Sequence, residues 1–457
     1  MAARSGGGEP VTPPAMATPP RVVHRPTTVP ASVSPGLVTP ATGSIRLAGE
    51  HFAAATVYLI AGAIGLVWIA PELAAGMYLS PHVAGITHLF TLGWLTTTIF
   101  GALYQLLPVA LGAPIRWPRV GHASFWTFAP GAGLFACGVA DGSTVLHDTG
   151  LALVTAGIVL AMINLISSLH RARARDVTWA AIALAAIFLL STLVLGAVLV
   201  QNLHTGVLAG ARVRVLATHL HVAIIGWALI MMVGVSHRLL PMFLLAHGAD
   251  TKWTKRALTF LAIGIPILAV GLNTRFPAAG WIAVVFLELG VACFLLQARS
   301  FYRARVRKRI DIGMRFVAAA LLFLAIAAAL GPAVLAAGSG APHLAIVYVL
   351  FGLLGGVILF VVGFFYKIVP LLVWTVRYRN RMGKEAVPTV ADMFSSRIAL
   401  VQLCAMGAAL GVLALAIAGG SARGTYAGAA LYLGGVLLFA SQIIRVAFGG
   451  RALEKHS

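Results

Sequence analysis

Two histidines, each in a separate apolar stretch, begin the same sequence pattern, and their imidazole side chains are potential metal ligands. Two glycines, a tryptophan and Leu-Leu-Pro follow each of them at identical offsets. They are Gly93, Trp94, Gly101, Leu106, Leu107 and Pro108 after His88, and Gly226, Trp227, Gly234, Leu239, Leu240 and Pro241 after His221. Imidazole is the commonest metal ligand, and a polar ring in lipid needs a partner. We therefore predict that both histidines ligate a buried cofactor, the alternative being a hydrogen bond to a neighbouring helix.

A third copy of the pattern begins at Leu350, which stands where the other copies have histidine. It keeps Gly355, Gly363 and Pro370 but has Gly356 in place of tryptophan. On a regular helix the glycines and proline lie roughly 140 to 220° around from the histidine. One face of each helix is therefore expected to pack, and the other to hold a ligand.

Polar residues elsewhere in apolar stretches indicate a proton path. Glu288 lies in the middle of an apolar stretch, where a charge costs at least a few kcal/mol unless it is neutralised, paired or hydrated. It is either a proton relay or a protonated carboxyl bonded to a neighbouring helix. In each copy the two residues directly before the closing Leu-Leu-Pro or Ile-Val-Pro are also polar. They are Tyr104–Gln105, His237–Arg238 and Tyr366–Lys367. Tyr366 and Lys367 join Glu288 in the predicted path, although Arg238 and Lys367 are also typical of cations that extend to the interface.

The composition is that of a polytopic membrane protein. Of 457 residues, 60% are hydrophobic and 10% charged, and the mean hydropathy is +0.94. The net charge of +21 lies in short loops between apolar runs, so it indicates membrane orientation and not nucleic-acid binding. The three cysteines form no CxxC or CxxCH motif, which argues against a zinc knuckle and covalent heme.

Twelve apolar runs are long enough to cross a bilayer. They lie near 51–70, 82–109, 123–140, 149–169, 177–201, 213–245, 257–272, 278–298, 313–336, 343–374, 395–418 and 425–447. We expect a disordered tail over 1–45, a membrane domain over 46–450 and a short tail over 451–457. Alternate loops are basic, and the most basic is Arg299–Arg315. Because basic loops stay on the cytoplasmic side, we expect these loops and both termini in the cytoplasm. We expect the membrane to be a bacterial inner membrane.

The repeat organises these runs into units. Its copies, centred on 82–109, 213–245 and 343–374, are the second, sixth and tenth runs, and all three have the same direction. The predicted fold is therefore an all-α integral membrane protein of twelve transmembrane helices, in three pseudo-threefold related units of four helices.

The chain resembles the catalytic subunit I of the heme-copper oxidase superfamily and, more loosely, the NnrS-like membrane proteins of nitric oxide metabolism. The resemblance implies that His88 binds heme and that His219 or His221 binds copper, with His88 and His221 or His219 as cofactor ligands. Any heme is expected to be b-type because CxxCH is absent. The resemblance also implies respiratory electron transfer or chemistry on oxygen or nitric oxide, with respiratory subunits or a cytochrome or quinol donor as partners.

The chain also departs from the family pattern. The run 257–272 has no histidine for copper, and the tenth helix has only His343 near its start. A complete heme-copper centre is therefore not expected, and an enzyme of the oxidase or nitric oxide reductase type would show no more than residual turnover. His204, between the fifth and sixth runs, is a substitute ligand or a solvated loop residue. The alternative functions are a channel or transporter without redox chemistry, and a structural subunit of a respiratory complex.

Overall fold

The computed structural model describes residues 1–3, 42–246, 248 and 250–449. Within these residues the regular secondary structure is helical, and twelve helices are long and apolar enough to cross a membrane. The chain is therefore an all-α integral membrane protein, and the twelve predicted spans are confirmed. The helices are α1 (Ile45–Trp68), α2 (Pro81–Leu111), α3 (Pro118–Asp141), α4 (Thr144–Leu169), α5 (Val177–Thr205), α6 (Ala209–Leu244), α7 (Lys252–Asn273), α8 (Pro277–Arg303), α9 (Ile312–Gly340), α10 (Pro342–Arg381), α11 (Ser396–Ala418) and α12 (Ala422–Phe448).

The predicted tails fall almost wholly outside the described residues. The helical segment that contains α1 starts at Thr42, and α12 ends at Phe448. We call the end of the bundle opposite to the basic loops the outer end. The start of α2, α4, α6, α8, α10 and α12 lies there, because the helices alternate in direction.

Helices α2, α6 and α10, which carry the repeat, contact one another in the centre of the bundle. In their most apolar stretches 78% of the residues of α2, 72% of those of α10 and 50% of those of α6 are buried, against 28% for α5 and α9. Aromatic rings join the three helices at centroid distances of 4.8 to 6.0 Å. The pairs are Trp94 with Phe365, Phe100 with Trp227, and Phe243 with Phe364. Such close packing is what holds helices together in lipid.

The repeat glycines let each central helix approach the helix before it. A β-carbon on the first glycine of each copy would lie 2.5 to 2.7 Å from an aromatic side chain of that helix. These contacts are Gly93 on Tyr58, Gly226 on Phe188 and Gly355 on Phe323. The second glycine meets the same helix further along, as Gly101 on His51, Gly234 on Ala181 and Gly363 on the Gly313 carbonyl. The three copies thus make the same pair of contacts.

The two remaining helices of each unit form a tight antiparallel hairpin. Helix α3 packs along α4, α7 along α8, and α11 along α12. Glycines again allow the close approach, because a β-carbon at Gly150, Gly271 or Gly428 would lie within 3.0 Å of backbone atoms of the partner helix. The same helix contacts therefore recur at every fourth helix along the chain, whereas the organisation into three pseudo-threefold related units stays a prediction.

Each central helix contains a π-helical segment at the same place. The segments are Leu89–Thr96, Val222–Leu229 and Leu350–Ile358, and they start directly after His88, His221 and Val349. Segments of this kind are rare and occur often at functional sites. The angles expected between the histidines and the repeat glycines assumed 3.6 residues per turn, which does not hold across these segments.

Two aspartates at the basic end cap helices and bind the cations predicted near the membrane surface. Asp176 precedes α5 and pairs with Arg238, and Asp311 precedes α9 and accepts from Lys367 at 2.9 Å. Burial raises the pKa of Asp176, but the hydrogen bond from the Trp179 N–H and the charge of Arg238 outweigh it, so the pKa lies below its usual value. Arg238 and Lys367 therefore tie α6 and α10 to the helices before them.

Candidate functional site

A cavity in the outer half of the bundle lies between α2, α3, α4, α5 and α6. The space between its walls amounts to about 690 Å³, a figure that includes open solvent at its mouth. The lining is mostly apolar, with a few polar side chains: His88, Thr91, Thr96, Thr192 and His219. An apolar cavity with two imidazoles is a candidate cofactor site.

His88 is presented to this cavity with one ring nitrogen free. Its Nδ1 lies 2.8 Å from the carbonyl oxygen of Ala84, one turn earlier on α2. A carbonyl accepts only, so Nδ1 carries the proton and Nε2 keeps its lone pair. The ring also meets Phe135 edge-on at 5.0 Å. This arrangement, a backbone carbonyl behind and a lone pair in front, is that of metal-binding histidines.

His219 faces the same cavity from α6. Its Nδ1 is buried and has no hydrogen-bond partner in the part of the chain that the structure describes. Gly196 of α5 makes room for the ring, because a β-carbon there would lie 3.2 Å from its Cε1 atom. A buried ring nitrogen without a partner is costly, which is the condition that a ligand would relieve.

The separation of the two rings fits one shared ion. The ring centroids of His88 and His219 are 6.4 Å apart, with 40° between the planes. Bonds of about 2.0 Å from an ion to two imidazoles on opposite sides place the centroids about 6 Å apart. The donors, the cavity and the orphaned nitrogen therefore fit a metal-centred cofactor that is held between α2 and α6.

His221 points to a different neighbour. Its Nδ1 lies 2.7 Å from the Ala217 carbonyl oxygen, and its Nε2 lies 3.2 Å from the Tyr348 hydroxyl of α10, with the two rings stacked. The sequence left open whether His219 or His221 accompanies His88. The structure brings His219 to His88 and places His221 against Tyr348.

Glu288 of α8 lies close to the same tyrosine. A β-carbon on Gly331 of α9 would be 3.4 Å from the Glu288 carboxyl and 4.0 Å from the Tyr348 ring. Gly331 thus adjoins both side chains, and its lack of a side chain leaves space beside them. Glu288, Tyr348 and His221 form a line of polar groups from α8 to α6.

Tyr366 and Lys367 are not part of this line. Tyr366 is buried and donates its hydroxyl to Gln402 at 2.5 Å, and Lys367 is bound to Asp311. Tyr366 lies 18 residues beyond Tyr348 on α10, which is about 27 Å of helix. The structure therefore does not bring the three residues of the predicted proton path together.

Sequence reasoning missed Tyr348, although the repeat contained a signal for it. Tyr348 stands two residues before Leu350, and His219 stands two residues before His221. The two therefore occupy the same slot of the repeat, and both are polar. The first copy has the apolar residue Ile86 at this position, so a comparison of the three copies did not identify the position as polar.

His204 ends α5 at the outer end and does not reach the cavity. Its Nε2 lies 3.0 Å from Asp148 Oδ1 at the start of α4. Asp148 also contacts its neighbour His147. His204 is thus neither a partner of His88 nor simply solvated.

The fold defines a polytopic helical membrane protein, and two imidazoles, those of His88 and His219, line its cavity. A comparison with models of protein families found no match to the chain, and a comparison with curated proteins found none either.

Proposed function

We propose that this protein is a membrane cytochrome that binds one b-type heme between α2 and α6, with His88 and His219 as ligands. The observation that carries the proposal is the pair of imidazoles at a centroid distance of 6.4 Å on one largely apolar cavity. The resemblance of the chain to the heme-copper oxidase superfamily likewise assigns heme to His88, whereas it assigns copper to His219 or His221.

We further propose electron transfer as the activity. A bound heme supplies one-electron redox chemistry, while the protein holds and tunes it. His88 and His219 would both hold the heme, and a heme held by two histidines would supply electron transfer and not the binding of oxygen or nitric oxide. Electron transfer in a respiratory chain is therefore better supported than gas reduction, and a cytochrome, a quinol or another respiratory subunit is the proposed partner.

Copper has weaker support. The resemblance predicted copper on His219 or His221, and the contacts of these two side chains lie with different helices. In the described residues, the group of three ligands that could hold an ion is formed by other residues. A copper ion on either histidine stays a prediction that metal analysis of the purified protein would test.

The test is the absorption spectrum of the purified protein and of three variants. We expect a Soret band and a pyridine hemochrome of the b type in the wild type. His88→Ala and His219→Ala should lose the heme or convert it to a form that binds carbon monoxide, which the wild type should not bind. His221→Ala, two residues from His219 on the same helix, should keep the wild-type spectrum.

Two results would refute the proposal. A colourless wild-type protein, purified from cells supplied with heme precursor, would refute heme binding. Loss of heme in His221→Ala together with a normal spectrum in His219→Ala would refute the ligand assignment and would restore the other prediction from the sequence.

A second candidate function is proton conduction without redox chemistry. It is favoured by the line from Glu288 through Tyr348 to His221, which lies outside the cavity. In vesicles containing the purified protein, Glu288→Gln should abolish proton flux while leaving any heme spectrum unchanged. Equal flux in the wild type and the variant would exclude this function.

A further inference from the structure

Three side chains at the outer end bring their ligand atoms together away from the cavity. His147 and Asp148 start α4, and His204 ends α5. One nitrogen of each histidine and one carboxylate oxygen all lie within 4.8 Å of one another. None of the three lines the cavity between His88 and His219. They are thus a separate cluster.

His147 is the unusual member of this cluster. Its side chain is only 3% exposed, and its Nδ1 lies 2.9 Å from Asp148 Oδ1 without the geometry of a hydrogen bond. This buried ring nitrogen therefore lacks the hydrogen-bond partner that buried polar atoms normally have, although a carboxylate lies close to it. Tight packing holds it there, because the His147 backbone lies 2.2 Å from where a β-carbon of Gly138 would be.

The distances suit a small tetrahedral ion. Asp148 Oδ1 lies 2.9 Å from His147 Nδ1 and 3.0 Å from His204 Nε2. Ligands of zinc at about 2.0 to 2.1 Å in a tetrahedron stand about 3.3 Å apart. The two ring nitrogens lie within 4.8 Å of each other, so binding of zinc requires the two histidines to approach by up to about 1.5 Å. Two imidazoles disfavour magnesium and calcium, which prefer oxygen ligands.

The cluster is open to an ion from outside. Side chains of Asp148 and His204 are 50% and 34% exposed, whereas His147 forms the floor. The ion would join the first turn of α4 to the last turn of α5, the two helices that also line the cofactor cavity further along.

We propose that His147, Asp148 and His204 form a Zn²⁺ site at the outer end of the bundle. The proposal does not depend on heme binding, because it uses none of the residues assigned to heme. It adds a metal site to the protein whether or not the cavity binds a cofactor.

The experiment titrates the purified full-length protein, freed of metal with a chelator, with ZnCl₂ in competition with a chromophoric chelator. We expect one zinc ion per chain, with no competition from excess Mg²⁺ or Ca²⁺. Loss of a direct ligand should weaken binding by more than about 100-fold, since even removal of an outer-shell partner costs 10 to 100-fold. His204→Ala and Asp148→Asn should both show this loss.

His82→Ala is the matched control. His82 forms the other close contact between a histidine and a carboxylate at the outer end, with Glu72 at 2.6 Å, but it has no third ligand in the described residues. Zinc affinity in this variant should equal that of the wild type. The metal-free variants should elute and melt like the wild-type protein, because His204 and Asp148 are partly exposed.

The proposal would be overturned if the wild type bound no zinc, or if His204→Ala and Asp148→Asn bound it as tightly as the wild type. It would also be overturned if His82→Ala lost affinity to the same degree, because binding would then be general to outer histidines. A colourless protein that binds zinc as described would refute the proposed heme and leave the zinc site standing.

Discussion

Replacement of Gly234 by alanine should destabilise the protein, although alanine is the better helix former. The new β-carbon would lie 2.2 Å from the β-carbon of Ala181, whereas ordinary contacts begin at 3.4 Å. Helices α5 and α6 must therefore separate by about 1 Å, which overpacks the contact at a cost of about 1 to 3 kcal/mol. The separation also stretches the hydrogen bond of 3.0 Å from the Thr178 hydroxyl to the Gly234 carbonyl.

The size of the loss follows from three contributions. A helix–helix hydrogen bond in membranes contributes about 0.6 kcal/mol on average, and the gain in helix propensity is about 0.8 to 1.0 kcal/mol. Overpacking is the largest of the three. We expect a net loss of about 0.6 to 2.8 kcal/mol in the free energy of unfolding.

The assay is reversible unfolding in mixed detergent micelles, and the control is Gly407→Ala. No atom lies within 4 Å of a β-carbon at Gly407 of α11, so this variant should gain stability by up to about 1 kcal/mol. The double variant Gly234→Ala with Ala181→Gly should recover most of the loss, because it removes the facing methyl group. The reasoning is refuted if Gly234→Ala stabilises the protein as the control does.

Three further predictions concern charge, metal and orientation. Asp176→Ala should lower the free energy of unfolding by about 1 kcal/mol, since it removes a helix cap. Because the pKa of Asp176 is lowered in the folded protein, the stabilisation by its carboxylate should be complete at neutral pH and should fade as the pH drops below about 4. Denaturant unfolding at a series of pH values would measure this. Zinc at 100 times its dissociation constant should raise the free energy of unfolding by about 2.7 kcal/mol in the wild type but not in His204→Ala, as thermal melts would measure. A reporter fused within Arg299–Arg315 should be cytoplasmic, and activity of a periplasmic reporter there would contradict the predicted topology.

The sequence predicted the twelve spans because each is recorded locally, in a run of about 20 apolar residues. The repeat was also readable, since Gly93 and Gly226 stand at a fixed offset from their histidines and pack on the preceding helix. The pairing of the histidines was not readable. His219 and His221 are two residues apart on one helix, and which of them meets α2 depends on how the helices are rotated against each other.

Other parts of the candidate sites depended on contacts that no local pattern records. His147 is buried because α3 and α4 pack backbone against backbone, a contact that its neighbours in the sequence do not record. Tyr348 acquires its role from His221 on another helix. Residues near each other in sequence, such as Tyr366 and Lys367, instead contact different partners, Gln402 and Asp311.

The π-helical segment of α10 has a consequence for how this protein could change over evolution or by design. The third copy keeps the segment Leu350–Ile358 although no histidine precedes it, so the backbone distortion persists without an imidazole at its start. Backbone shape and ligand identity are therefore separable traits of one scaffold. A ligand can be lost from one copy, or grafted into it as in Leu350→His, without rebuilding the helix around it.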